Sequence, residues 1–86
     1  MNNILEILNS WDPIDLFPMA PKDEYIEEGK KIEEYIKNNV VTVEELSNEI
    51  NIIFKNSFGT VYNEDVKSCL KVAEKILSIF INKNEN

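Results

Sequence analysis

WDPIDLFPMAPKDEY, residues 11–25, holds the only tryptophan and all three prolines of an 86-residue chain, together with four acidic residues. How this stretch is read decides the fold, because the residues before and after it carry plain helical patterns. Pro13 disfavours helical geometry in the residue before it, so a helix arriving from the N-terminus ends at Trp11 or Asp12. Asp12 followed by Pro13 is a helix-start pair, in which the aspartate caps and proline at the first position loses no useful hydrogen bond. One turn of helix is therefore predicted over residues 14–17, stopped by Pro18. Ile14, Leu16, Phe17 and Met19 then have the character to plug the end of a bundle beside Trp11.

Upstream, Ile4, Ile7, Leu8 and Trp11 follow the spacing of one helix face, widened by Leu5, while Asn3, Glu6, Asn9 and Ser10 lie opposite. Downstream, a second helix is predicted from between Pro21 and Asp23 to about Asn38, with Tyr25, Gly29, Ile32 and Ile36 in one stripe and Ile26 beside it. Glycine inside a helix costs roughly 1 kcal/mol relative to alanine, and close approach of another helix would offset it.

The third helix has the clearest start. Thr42 and Glu45 make a capping box, and Val41 with Leu46 a hydrophobic staple. Val43, Leu46, Ile50, Ile53, Phe54 and Ser57 are placed on its inner face, Ile52 on its polar side, and Gly59 at its end. Asn63 is the expected cap of the fourth helix, with Glu64 and Asp65 suited to its N-terminal dipole. Its apolar residues, from Val66 and Cys69 through Leu70, Val72, Ala73, Ile76, Leu77, Ile79, Phe80 and Ile81, cover an arc of roughly 200°. A surface helix needs less, so this helix is either central or meets a second subunit. A polar tail over 82–86 is expected to fray. The expectation is one all-α domain: a small antiparallel bundle of three longer helices and a short N-terminal helix, with a proline-rich capped turn between the first two.

Composition narrows function. The formal charge is -7, with sixteen acids, nine bases and no histidine, which argues against nucleic acid or an anionic membrane as a partner. A stripe of Lys67, Lys71 and Lys75 is interrupted by Glu74 and reads as a solvated face. No apolar run is long enough for a bilayer, and the opening MNNILEILNS lacks the pattern of a signal peptide. The single cysteine, Cys69, fits a reducing cytoplasm and excludes an internal disulfide.

Enzyme chemistry is poorly supplied. There is no histidine base and no glycine-rich phosphate loop, the only glycines being Gly29 and Gly59. Cys69 sits on an apolar arc with nothing to activate it. Asp12, Asp15, Asp23, Glu24 and Glu27 could offer oxygen ligands to a hard cation, but they lack EF-hand spacing and lie on both sides of the turn. No catalytic residue, metal or cofactor is therefore assigned.

The acidity is local. Residues 1–28 carry seven acids against Lys22, a balance of -6, whereas residues 29–86 balance to -1. Prolines and aromatics are explained by the turn; the crowded acids are not. A basic protein partner would use such an excess. The expected partner-binding residues are Asp15, Asp23, Glu24, Glu27 and Glu28 as an electrostatic rim. Tyr25 is the aromatic anchor if its hydroxyl end is exposed. Trp11, Asp12, Pro13 and Ile14 are the structural motif beneath them. The alternative is a homodimer built on the apolar face of the fourth helix.

Trp11-Asp12-Pro13-Ile14, a short proline-containing spacer and then Asp23-Glu24-Tyr25 resemble the YugE-like family of small bacterial proteins of unknown function. The likeness continues weakly through TVEELSNEI and the following Phe-Gly. In that family the tryptophan-Asp-Pro-Ile motif is often followed by glycine, where this chain has Asp15. The resemblance implies an all-helical fold and no established activity. Colicin-nuclease immunity proteins are similar in size, charge and helical class, with no motif in common; they act by covering a basic toxin.

Overall fold

The computed structural model describes residues 2–84, with side chains described for residues 3–80. Four helices follow in order: α1 (Asn2–Trp11), α2 (Ile26–Asn38), α3 (Val43–Phe58) and α4 (Val66–Asn84), with a 3-10 turn at Gly59–Val61. Among the described residues there is no strand. They form the small all-α bundle expected from the periodicity. α3 packs on α2 and α4, and α4 packs on α1 and α3. The wide apolar arc of α4 thus serves two neighbours, and Cys69, Val72, Ala73 and Ile76 form its buried centre. The side chain of Ile81, placed on the same arc by its spacing, and the last two residues of the tail lie outside the described set.

The core is drawn from every helix: Ile4 and Leu8 from α1, Ile32 from α2, and Leu46, Ile50, Ile53 and Phe54 from α3. Local chemistry sets the ends of α3 as anticipated. The Glu45 amide donates to Thr42 Oγ1 at 3.1 Å, and the Thr42 amide donates to Glu45 Oε1 at 2.9 Å. Gly59 closes the helix at φ 59 and ψ -134, its amide donating to the Lys55 carbonyl. That conformation is strongly disfavoured for any residue with a Cβ. Ser57 is exposed and leaves the inner face, while Ser47 is buried instead.

Three boundaries differ from the sequence reading. The cap of α4 is Asp65, not Asn63: Asp65 Oδ1 accepts from the Ser68 amide at 2.8 Å, and the helix starts at the next residue. α2 begins at Ile26, because residues 21–26 first make two tight turns through Glu24 N to Pro21 O and Ile26 N to Asp23 O. The first bond of helical spacing is Gly29 N to Tyr25 O. Residues 14–17 are not a helical turn. Asp12 and Asp15 both hold positive φ, 45 and 55, and the chain folds back on itself between them. The Phe17–Pro18 peptide bond is cis.

Candidate functional site

The corner between α1 and α2 is organised by one carboxylate. Asp12 caps as the sequence suggests, but it caps a folded-back loop. Pro13 is buried in a turn closed by the Asp15 amide on the Asp12 carbonyl at 3.0 Å. The Asp12 side chain then accepts three hydrogen bonds, from the Leu16 amide at 2.8 Å, the Phe17 amide at 3.0 Å and the Tyr25 hydroxyl at 2.6 Å. The same hydroxyl accepts a long bond, 3.4 Å, from the Ile14 amide. Burial alone would raise the Asp12 carboxyl. The hydroxyl and the two amides outweigh it and hold the group below its ordinary value. Burial, and then the bond to Asp12, push the Tyr25 phenol well above its ordinary value.

Trp11 ties this corner to the start of α4. Its Nε1–H is shared between Glu64 Oε1 at 3.1 Å and Ser68 Oγ at 3.0 Å, and Ser68 donates to the same Glu64 oxygen at 3.0 Å. The indole ring meets Phe54 edge-on at 5.2 Å and Tyr62 at 6.1 Å. Tyr25 packs on Phe54, Phe17 and Phe58 with centroids 5.7 to 6.0 Å apart. Edge and offset arrangements of this kind add about 1 kcal/mol per pair beyond area burial. Tyr62 and Cys69 share a hydrogen bond of 3.0 Å, and burial raises both groups. The thiol is therefore held neutral inside the core, which is the opposite of what a nucleophile needs.

The six residues expected to bind a partner separate into two groups. Asp15, Asp23, Glu24 and Glu27 are exposed, and Glu27 lies 3.8 Å from Lys30 in a solvent-exposed pair. Tyr25 and Glu28 do not join them. Tyr25 is fully buried, so the condition for its use as a surface anchor is not met. Glu28 is 6% exposed, and its Oε1 is enclosed with no hydrogen-bond partner. The sequence held a signal for both. Tyr25, Glu28 and Ile32 follow 3, 4 spacing, so Glu28 lies beside the buried stripe of α2 and cannot sit on an outward rim. Trp11, Asp12, Pro13 and Ile14 are brought together as one structural unit.

A groove of about 540 Å³ opens between α1 and residues 17–22. Glu6, Asn9 and Ser10 of α1 form one wall, and Phe17, Pro18, Ala20 and Lys22 the other. Asn9 bridges the two by donating from Nδ2 to the Lys22 carbonyl at 2.9 Å. That bond fixes the amide's orientation, leaving Oδ1 enclosed and without a donor. Met19, between two lining residues, is 93% exposed. The sequence reading placed Glu6, Asn9 and Ser10 on the outer face of α1 but had no means of seeing that the loop returns to face them.

A smaller recess of about 300 Å³ lies between α3 and the start of α4. Its carboxylates Glu64 and Asp65 are already engaged with Trp11, Ser68 and the helix end. Among the described residues no three acidic or cysteine side chains are grouped as a metal ion would require. No helix among them is long and apolar enough to cross a membrane.

The family model described as Domain of unknown function (DUF1871) matches residues 3–85. No curated protein and no solved structure matches the chain.

Proposed function

This chain belongs to the DUF1871 family, whose function is unknown, and from that starting point we propose that it is a non-enzymatic binding module for a basic protein. The observation that carries the reading is the set of exposed carboxylates at Asp15, Asp23, Glu24 and Glu27, on and just beyond a loop anchored by Asp12 and Trp11. A pre-ordered acidic surface gains in association rate and in selectivity against acidic partners. An immunity-like role, in which the surface covers a basic toxin, is one form of this proposal. The resemblance of the Trp-Asp-Pro-Ile and Asp-Glu-Tyr segments to the YugE-like proteins supports a bacterial setting. The single cysteine supports a cytosolic one.

The test is affinity capture with the parent chain and with a Glu24→Lys/Glu27→Lys variant, read beside their thermal melts. The variant should melt as the parent does and lose basic partners, with the difference from the parent largest at low salt. Retention of every partner at full affinity by the variant would sink the reading.

A homodimer on α4 is the second reading. It is favoured by the exposure of Val66 and the half-buried Leu70, Leu77, Ile79 and Phe80 on the outer parts of the arc. Sedimentation separates the two, since a strict monomer at high concentration removes the dimer.

A further inference from the structure

We propose that the groove between α1 and residues 17–22 receives an apolar side chain carried on a basic segment of the partner protein. This rests on the acidic-surface reading above and adds the point at which the partner is gripped. The volume, about 540 Å³, lies within the range of sites that enclose small ligands or side chains. Phe17, Pro18 and Ala20 give it an apolar wall, and Met19 stands almost wholly in solvent beside them. Methionine is favoured where a surface must fit an incoming side chain, because it is unbranched and polarizable.

The groove does not have to be ordered on binding. Asp12 holds the amides of Leu16 and Phe17, and Asn9 holds the carbonyl of Lys22, so both ends of the loop wall are tied down. Rigid sites of this kind lose less entropy on association. Charge then selects the occupant. Glu6 is in the wall, Asp23 and Glu24 follow Lys22 directly, and Lys22 is the only base in the first 28 residues. An apolar group flanked by lysine or arginine is attracted here, whereas one on an acidic or phosphate-bearing molecule is repelled.

The probe is a short peptide of lysine and glycine that carries two leucines, compared with its counterpart bearing serines at those positions. Both are titrated into the isotope-labelled protein and followed by NMR. The leucine peptide should shift the amides of Asn9, Ser10, Ala20 and Lys22 saturably and bind about tenfold more tightly than the serine peptide. Ser10→Trp, which fills the groove from an exposed helical position, and Met19→Lys should each erase that difference. Equal affinity for the two peptides, lost in Glu24→Lys/Glu27→Lys, overturns the groove and leaves the acidic-surface reading standing. Binding of neither peptide overturns both. Concentration-dependent shifts of the same amides without peptide would make a second copy of the chain the occupant and overturn the proposal.

Discussion

The connection between α1 and α2 and the connection between α3 and α4 do the same topological job by opposite means. The helix ends that flank residues 59–65 are capped locally. Gly59 supplies a backbone that other residues resist, its amide caps the helix behind it, and Asp65 caps the helix ahead. Residues 11–25 add to their local bonds a set of partners at a distance. Asp12 reaches 13 positions along the chain to Tyr25, and Trp11 reaches 53 and 57 positions to Glu64 and Ser68. Two non-glycine residues there hold positive φ, at roughly 1–2 kcal/mol each before local hydrogen bonding is counted. The difference teaches where this molecule keeps its cost. Strain persists only where surrounding structure over-determines it, and such places cluster at functional sites. The strained connection is also the one beside the groove and the exposed acids.

The largest expected effect is at Asp12. Asp12→Ala strands two amides and the buried Tyr25 hydroxyl, and should cost about 3 kcal/mol in urea unfolding. The pH dependence follows from the same group. Its folded pKa lies below the unfolded one, so its contribution is complete above about pH 4 and disappears as the pH falls through the folded value. Tyr25 runs the other way: its pKa is raised on folding, so its contribution is complete below about pH 10 and declines above it. Asp12→Ala should flatten the acid limb relative to the parent. An unchanged acid limb would mean that the carboxylate does not hold the corner.

Gly59→Ala probes the local connection, and should cost about 2 kcal/mol through the backbone alone. No atom lies within 4 Å of where the new Cβ would sit, so steric contact adds nothing. A loss as large as that of Asp12→Ala would break the contrast between the two connections. Glu28→Met removes an enclosed, partnerless carboxylate oxygen and should raise stability by about 1 kcal/mol. A fall in stability would show that Glu28 has a role in holding α2.

Asp15→Gly is the smallest test. At φ 55 glycine relieves strain, but it also frees the unfolded chain, so the net gain should be about 0.5 kcal/mol. The glycine frequent after the tryptophan-Asp-Pro-Ile motif in the resembling YugE-like proteins suits this conformation. Aspartate tolerates it better than most residues. A clear loss on Asp15→Gly would show that the aspartate side chain is itself needed there.

The candidate site was legible in part. The local charge excess, the end of α1 at Pro13 and the capping character of Asp12 can be read in order along the chain. The loop's true shape could not be read, because Asp12-Pro13 opens a helix and a folded-back turn with equal ease. In the observed turn the Asp12 carboxylate serves the Leu16 and Phe17 amides together with the buried Tyr25 hydroxyl, a partner 13 positions along the chain. Glu28 was misplaced for a different reason: charge suggested the surface, whereas its spacing from Tyr25 and Ile32 suggested the core, and the spacing was right.

By itself, the sequence determined the helical class, the span of α3 with its Thr42–Glu45 box and Gly59 stop, and the apolar faces that meet in the core. Each of these depends on groups within about four residues of one another, so order along the chain is enough. Only the tertiary structure decided the link from Asp12 to Tyr25, the partners of Trp11 and the groove beside α1. Each of those needs groups that are distant in sequence to compete for the same hydrogen bond or the same volume. Packing is what settles that competition.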